Sequence, residues 1–200
     1  MKRIFSLIMI LAALAFAFTS CGSPEDEQPD IYSLLNNMVS ENYSSLTVEI
    51  TTNNSFGKLN SIYVVTNNEE SQTISYTEQS LATFDSVDGK YVIPNDYKNE
   101  TSGSVEITKN GESITSPGGI LLNGIGNPKF NFQSSYFSSV VNNDKSFKAD
   151  VIKPSEFINK ELDASDMTLS VKFDVNKLKS IVIEYTLSSG TTETVTYTFA

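Results

Sequence analysis

The amino-acid sequence predicts a mainly β protein of the α+β class. We expect an antiparallel meander that forms a curved sheet or half-barrel, with an N-terminal helix and short covering helices. Apolar and polar residues alternate from Leu46 onward, which is the period of half-buried strands. The dipeptides Asp88-Gly89 and Asn110-Gly111 separate alternating runs and favour tight antiparallel hairpins. One helical stripe of apolar residues, at positions 31–39, precedes the first run.

The first twenty residues have the pattern of an export signal. Lys2 and Arg3 precede a 15-residue run, Ile4 to Phe18, that is apolar apart from Ser6. That length suits the apolar core of a signal peptide, whereas a membrane-spanning helix needs roughly 20 residues. We therefore predict that residues 1–20 are a signal peptide that is removed on export.

The end of this segment, Phe18-Thr19-Ser20-Cys21-Gly22, resembles the lipobox of bacterial lipoproteins, with Phe18 where that family usually has leucine. The resemblance implies cleavage before Cys21 and a diacylglyceryl thioether on Cys21, with acyl chains such as palmitate. Two acyl chains make a stable membrane anchor. The protein would then lie in the cell envelope, lipid-anchored on the extracytoplasmic side of the cell membrane or outer membrane. An ordinary secretory peptide with an incidental cysteine is the alternative.

The segment after the cysteine is polar, and we predict that residues 21–30 are the acylated Cys21 and a disordered tether. Residues 22–29 contain proline and charge but no apolar side chain. The acidic run from Glu25 to Glu27 resembles the surface-export signal of Bacteroidetes lipoproteins, while a solvated linker is the plainer interpretation. Residues 31–200 are predicted to form a single β-rich domain.

The predicted helix follows the tether. Asp30 is a candidate N-cap, and the helix is expected to continue to about Tyr43. The apolar stripe has the i, i+3, i+4, i+7, i+8 spacing of a helix face that packs against a core, and it consists of Ile31, Leu34, Leu35, Met38 and Val39. Asn36 and Asn37 are predicted on the opposite face.

Short strands with a period of two fill most of the remaining chain, and the simplest topology that joins them is a meander. The predicted strands are Leu46–Thr51, Ser61–Thr66, Gln72–Thr77, Leu81–Val87, Lys90–Pro94, Ser104–Thr108, Glu112–Thr115, Lys129–Phe137, Ser146–Ile152, Thr168–Val175, Leu178–Leu187 and Thr192–Phe199. Ser189-Gly190 is predicted to turn the last hairpin.

Two stretches interrupt the strand pattern. Residues 116–128 are glycine-rich and apolar, and they are predicted to form a loop or short helix over the sheet. Residues 154–161 are predicted to form a short helix, with Ser155 as its cap and Phe157 and Ile158 facing inward.

Composition argues against most catalytic chemistry. The chain has no histidine, Arg3 is its only arginine and Cys21 is its only cysteine. Ser–His and Cys–His nucleophiles and histidine-based metal sites are thereby excluded. We predict a non-enzymatic protein with no catalytic residue, no metal and no cofactor. A carboxylate-based hydrolase ranks last, because its candidates are expected on a solvated helix and turn; they are Glu156, Glu161, Asp163 and Asp166.

Charge restricts the partners. The whole chain has 14 basic and 24 acidic residues, so loss of Lys2 and Arg3 leaves the mature chain at −12. Such an acidic surface argues against nucleic acid and against anionic lipid headgroups as electrostatic partners. Strand tyrosines at positions 63, 76, 91, 185 and 197 could stack on sugars, but cross-strand packing is the expectation. We expect a monomer.

Two segments resemble the LolA-like and LppX/LprG-like lipoprotein carriers. In Leu34–Thr52 a helix leads through a Y-x-x-L link, Tyr43 to Leu46, into the first strand, and Leu169–Phe199 is similar to the closing strands. The resemblance implies a half-barrel with an apolar cavity for acyl chains. The expected function is thus an envelope lipoprotein that binds or carries a hydrophobic ligand such as lipid. The alternative is a cell-surface adhesion or assembly module, a sugar- or protein-binding β-sandwich.

Overall fold

A computed structural model describes residues 30–200 apart from residues 42, 56, 81–82, 86–89, 93–98 and 109–112. The predicted signal peptide, Cys21 and the tether up to Pro29 lie outside the described residues, as do the Asp88-Gly89 and Asn110-Gly111 turns. Tyr32–Ala200 make one compact unit, and the description below concerns this unit.

The fold class predicted from sequence is confirmed, because antiparallel strands make up most of the described residues. The strands are β1 (Ser45–Asn54), β2 (Gly57–Asn67), β3 (Ser71–Ser80), β4 (Thr83–Asp85), β5 (Lys90–Val92), β6 (Asn99–Thr108), β7 (Phe137–Asn143), β8 (Ser146–Val151), β9 (Ala164–Asp174), β10 (Lys177–Leu187) and β11 (Thr192–Phe199). The helices are α1 (Ile31–Ser40), α2 (Leu122–Gly126) and α3 (Pro154–Ile158), and a 3-10 turn spans Ser134–Tyr136.

Within the described residues, nine strands form one open sheet in the order β6-β3-β2-β1-β11-β10-β9-β8-β7, and β4 pairs with β5 separately. The order departs from an uninterrupted meander at two places. β3 pairs with β6, and β1 pairs with β11, so that Leu46 lies opposite Phe199 and Val48 opposite Tyr197. The first and last strands of the domain are therefore neighbours in the middle of the sheet.

One face of the sheet, called the inner face below, carries the core. Alternate residues of several strands are buried there, as for Leu46 and Val48 of β1 and Tyr63 and Val65 of β2. The helices contribute Leu35 and Met38 from α1, Leu122 and Ile125 from α2, and Phe157 from α3. Ring centroids 5.3–6.3 Å apart connect the aromatic centre of this core, which consists of Phe132, Phe137, Phe147 and Phe157.

The predicted strand Lys129–Phe137 is wrong for most of its length. The segment crosses the core as extended chain and a 3-10 turn, and only Phe137 begins a strand. Its backbone pairs with Asn36 of α1 instead of a strand: the Phe132 N–H donates to Asn36 Oδ1 (2.9 Å), and Asn36 Nδ2 donates to the Phe132 carbonyl (2.8 Å). The prediction that Asn36 faces away from the core is therefore wrong as well.

Other boundaries also differ from the predictions. Residues 113–115, the described part of the predicted strand Glu112–Thr115, contain only an isolated bridge from Thr115 to Leu121. The strand β7 was not predicted, and α1 ends at Ser40 instead of Tyr43. Ser155 does not cap α3, because Lys153 occupies that position and Ser155 Oγ accepts from the Leu162 N–H at 3.1 Å. The Ser189-Gly190 turn is confirmed, with Gly190 at a φ of 79°.

Candidate ligand-binding groove

A groove of about 360 Å³ opens where β1 begins and β11 ends. We call it the Tyr43 groove, and it is lined by Met38, Glu41, Tyr43, Ser44, Lys177, Leu178, Lys179, Phe199 and Ala200. Its floor is apolar, since Met38, Leu178 and Phe199 are 3%, 7% and 9% exposed. Its rim is polar, with exposed side chains at Glu41, Lys177 and Lys179. The groove therefore combines an apolar floor with a charged rim.

Backbone hydrogen bonds hold the link between α1 and β1 in place beside the groove. The N–H groups of Ser44 and Ser45 both donate to the Ala200 carbonyl, at 3.1 and 3.2 Å, and Ser44 Oγ donates to the same oxygen at 2.9 Å. The Ala200 N–H donates back to Ser45 at 3.0 Å. These bonds tie the link between α1 and β1 to the end of β11 beside the groove.

The Tyr43 ring is the central side chain of this wall. It packs edge-to-face on Phe199 with centroids 5.3 Å apart, and its hydroxyl donates to the Gly126 carbonyl at 3.3 Å. Burial raises the pKa of Tyr43 above its usual value, so the hydroxyl remains a neutral donor at physiological pH. Tyr43 is also the first residue of the Y-x-x-L link noted in the sequence.

The opposite wall is formed at a β-bulge in β10. The register between β9 and β10 shifts between Leu178 and Ser180, so that Lys179 is the additional residue in β10. A bulge redirects side chains away from the simple alternation of a strand. Here Leu178 is buried in the floor while Lys177 and Lys179 stand on both sides of it. The rim thus carries Lys177 and Lys179 together with Glu41.

A second, larger cavity of about 650 Å³ adjoins the groove and shares Glu41, Tyr43 and Ser44 with it. Four of its side chains are amides, and we call it the amide cavity. Gln72 Nε2 donates to Asn67 Oδ1 at 2.8 Å and to Asn127 Oδ1 at 3.2 Å, and Asn67 Nδ2 donates to the Tyr43 carbonyl at 2.9 Å. Because these amides bond to one another and to the backbone, they stabilise the wall that carries Tyr43.

Two buried polar side chains of β3 hold residues 113–126, called the strap below, against the inner face. Glu78 Oε2 accepts from the Gly118 N–H at 2.8 Å, and Gln72 Nε2 donates to the Gly126 carbonyl at 3.0 Å. A Cβ at Gly118 would lie 2.7 Å from Glu78 Oε2, so glycine allows the strap to approach this closely.

Glu78 is also bound to a buried tyrosine of the next strand. Tyr63 Oη donates to Glu78 Oε1 at 2.6 Å, and both side chains are nearly inaccessible to solvent. Burial and, after it, the hydrogen bond to Glu78 hold the pKa of Tyr63 well above its usual value. The carboxylate thus joins β2, β3 and the strap.

A similar pair occupies β10 and β11, where Tyr185 Oη donates to Glu193 Oε2 at 2.5 Å. Burial, followed by the hydrogen bond to Glu193, raises the pKa of Tyr185 as well. Glu78 and Glu193 are separated by three strand intervals, about 14 Å along the sheet. Glycosidase carboxylates lie about 5–9.5 Å apart, so this spacing does not suit a catalytic pair.

The residues singled out from the sequence are distributed over the whole domain. The four carboxylates considered for hydrolysis are all exposed, namely Glu156, Glu161, Asp163 and Asp166. Among the described residues, no group of three or more His, Cys, Asp or Glu side chains could hold a metal ion. Tyr63 and Tyr76 lie directly opposite one another in β2 and β3, whereas Tyr197 packs edge-to-face on Phe130, which lies outside the strands. The side chain of Tyr91 lies outside the described residues.

The groove lysines and the two polar side chains that hold the strap were not predicted from the sequence. Lys177 and Lys179 read as ordinary solvent-facing positions of an alternating strand, and nothing in the sequence marks the bulge between them. Gln72 and Glu78 are two and four positions from Ile74 in β3 and therefore lie on the same, inner face of the strand. This spacing is the only signal that could have indicated their burial.

No family model and no curated protein matches the chain. A redesigned β-barrel among the solved structures is similar to it at 12% sequence identity, over 84% of this chain and 92% of that chain, with a TM-score of 0.20. A TM-score that low carries no argument, so the fold described above depends on the strand pairing itself. Within the described part of residues 30–200, no helix is both long and apolar enough to cross a membrane.

Proposed function

We propose that the protein is a lipid-anchored lipoprotein of the cell envelope whose β-rich domain binds a hydrophobic ligand in the Tyr43 groove. The observation that carries the proposal is the nearly buried apolar floor of Met38, Leu178 and Phe199 beneath an open rim. Its volume of about 360 Å³ falls in the range of small-molecule sites, about 300–1,000 Å³. Tyr43 adds an aromatic wall with a hydroxyl group.

The sequence supports a location at a membrane surface. Cys21 at the end of an export segment supports acylation, and the tether of residues 22–29 would hold the domain within about 30 Å of a membrane at full extension. The resemblance of Leu34–Thr52 to the LolA-like carriers supports a hydrophobic ligand. A protein held at this distance could take its ligand from the membrane surface.

Native mass spectrometry and a fluorescent fatty acid test the proposal. The material is the mature chain, residues 21–200, with Cys21→Ser to prevent acylation, purified from bacteria and delipidated before titration. We expect saturable binding and a co-purifying hydrophobic ligand before delipidation. No bound ligand and no binding of the fatty acid would refute the proposal.

A matched pair of variants places the binding in the groove. Ser44 is exposed at the mouth of the groove, so Ser44→Phe fills space that a ligand would occupy. Ser33 is exposed on α1 and does not line the groove, so Ser33→Phe adds the same ring elsewhere. We expect weaker binding in Ser44→Phe and unchanged binding in Ser33→Phe. Equal binding by both variants would contradict this location.

A second candidate is the non-enzymatic surface module for adhesion or assembly. The filled aromatic centre of Phe132, Phe137, Phe147 and Phe157 favours it, because these rings occupy the inner face where a large acyl cavity would lie. Binding of the delipidated chain to a glycan or cell-surface protein, unaffected by Ser44→Phe, would favour this function over the first.

A further inference from the structure

The two edges of the nine-stranded sheet differ in their regularity. β6 and β7 are the end strands, and neither has a second strand neighbour among the described residues. In β7 the pairing with β8 shifts register between Ser138 and Val141, and Ser139 adopts a φ of 53°. Such an irregularity bends an edge strand and hinders its pairing with another chain. The β7 edge is therefore protected.

β6 lacks this protection. Its ten residues, Asn99–Thr108, pair with β3 without a register shift, and they include no proline, lysine or arginine. In an antiparallel edge strand, alternate residues direct their N–H and C=O groups away from the sheet. β6 therefore presents a regular row of backbone donors and acceptors, which is the surface that strand addition uses.

The side chains of β6 leave this edge clear. On the face opposite the inner face, three of them are hydrogen-bonded back to serine or threonine of β3. The bonds run from Ser71 Oγ to Glu106 Oε1 (2.7 Å), from Ser75 Oγ to Ser104 Oγ (3.2 Å) and between Thr77 Oγ1 and Ser102 Oγ (3.1 Å). Gly103 has no side chain, and a Cβ there would lie 2.5 Å from Tyr76 Oη of β3. A strand that approaches β6 would therefore meet its backbone.

We propose that β6 pairs antiparallel with β6 of a second copy of this chain, which continues the sheet across a twofold axis. Pairing of a strand with itself is self-complementary, as in most homodimers. Residues directly opposite one another lie on the same face of a sheet, so the axis must pass beside a residue that lies opposite its own counterpart. This dimer differs from the monomer expected from the sequence. It is independent of the proposed function, because no residue of β6 lines the Tyr43 groove.

Length and charge select the register of the dimer. With Ser104 on the axis, residues 100–108 pair and each glutamate of β6 lies opposite a hydroxyl side chain, namely Glu100 opposite Thr108 and Glu106 opposite Ser102. With Gly103 on the axis, residues 99–107 pair, but the two glutamates would lie opposite one another at two places. Like charges directly opposite one another destabilise paired strands. An axis elsewhere leaves a shorter pairing, such as residues 99–105 or 102–108. Ser104 is therefore the expected centre.

Single cysteines test this register in the mature Cys21→Ser chain, which has no other cysteine. In a dimer of Ser104→Cys the two thiols are directly opposite, with Cα atoms about 4.5–5.5 Å apart, and a disulfide can bridge them. In Ser102→Cys they are four residues apart, about 13 Å along the strand. Both serines are exposed, and each change removes one hydroxyl bond to β3. We expect Ser104→Cys to form a disulfide-linked dimer about tenfold faster than Ser102→Cys under mild oxidation, as measured by non-reducing electrophoresis.

Sedimentation equilibrium of the mature Cys21→Ser chain measures the association itself. Salt at about 0.15 M screens the repulsion between two copies whose net charge is −12 each. We expect a concentration-dependent dimer, and Ser104→Lys should weaken it about fivefold because two like charges then face one another across the axis. The control Ser75→Lys changes the net charge equally and removes the same hydrogen bond, yet it lies in β3, one strand from the edge. The control should dimerise as the unchanged chain does.

Each contrary result overturns a stated part of the proposal. A chain that stays monomeric at every concentration measured overturns the dimer and leaves the β6 edge to an extended segment of another protein. Equal cross-linking of Ser104→Cys and Ser102→Cys overturns the register and indicates random collision. A dimer that both lysine changes weaken equally, or that neither weakens, overturns the role of β6 and indicates a different interface. None of these results bears on ligand binding in the Tyr43 groove.

Discussion

Removal of one hydroxyl group, by Tyr63→Phe, tests the way in which the strap is held to the sheet. The Tyr63 ring is fully buried and phenylalanine preserves it, so the change removes only the hydroxyl, with its 2.6 Å hydrogen bond to Glu78 and its hydrogen bond with Ser61. A hydrogen bond to a charged group contributes about 1.5–3 kcal/mol, and we expect the free energy of unfolding to fall by about 2 kcal/mol. At about 2–4 °C per kcal/mol for a domain of this size, the melting temperature should fall by about 4–8 °C.

A double-mutant cycle with Glu78→Gln isolates the pair. Glutamine retains an acceptor for the Gly118 N–H but lacks the charge, so Tyr63→Phe should cost about 1 kcal/mol less in that background. Tyr76→Phe is the control, because Tyr76 lies opposite Tyr63 in β3 and shows no side-chain hydrogen bond within the described residues. Chemical denaturation followed by circular dichroism measures all four proteins and the control. A change below about 0.5 kcal/mol for Tyr63→Phe, or strictly additive effects in the cycle, would refute this account.

Three further predictions concern other parts of the chain. Cys21→Ser should abolish incorporation of labelled palmitate and release the protein from the membrane fraction; continued membrane retention would contradict the lipid anchor. Val175 is a β-branched residue at a φ of 55° and is 78% exposed. Val175→Asn should therefore relieve backbone strain and stabilise the domain by about 1 kcal/mol. A melting temperature lower than that of the unchanged protein would contradict this prediction. Burial, followed by the neighbouring Tyr43, raises the pKa of Tyr197 to about 12, whereas an unfolded tyrosine titrates near 10. The stability that this group contributes is therefore complete below pH 10 and is lost between pH 10 and pH 12. At pH 11 the loss is about 1.4 kcal/mol; urea unfolding from pH 8 to pH 11 should therefore show a shallower pH slope in Tyr197→Phe, and an unchanged slope would contradict the shift.

Local alternation was sufficient to predict strands whose two faces have different environments. β8 is a clear case, since Phe147, Ala149 and Val151 are buried and the residues between them are exposed. The Ser189-Gly190 turn was predictable for a similar reason, because glycine adopts a positive φ, here 79°, without the steric strain that a side chain would cause. In both places the short-range pattern and the final environment agree.

Prediction failed where a distant partner determines the local structure. Phe130 and Phe132 alternate with polar residues just as a strand would, yet this segment bonds to the side chain of Asn36, 96 positions away for Phe132. β7 lies at the sheet edge, where all of its residues after Ser138 are exposed, so no alternation marks it. Local periodicity in the sequence therefore indicates neither the contact of Phe132 with Asn36 nor the pairing of β7 with β8.

The candidate site was only partly predictable. No ligand-binding residue was predicted from the sequence: Tyr43 appeared there only as the first residue of the Y-x-x-L link, and Met38 only in the apolar stripe of α1. Lys177 and Lys179 depend on a register shift between two strands, which is a property of the pairing and not of either sequence alone. The strap was expected to cover the sheet, but its attachment through Glu78 and Gln72 requires the side-chain geometry.

The pairing of β1 with β11 has a consequence for the kinetics of folding. Leu46 and Phe199 are about 150 positions apart in the chain, yet their contact lies in the middle of the sheet. Closing so long a loop before its contacts form costs conformational entropy, and proteins dominated by distant pairings fold slowly. Until Thr192–Phe199 is available, the edge of β1 that later meets β11 is unpaired and open to association with other chains. We therefore expect slow folding, with a period in which the unpaired edge of β1 depends on a chaperone.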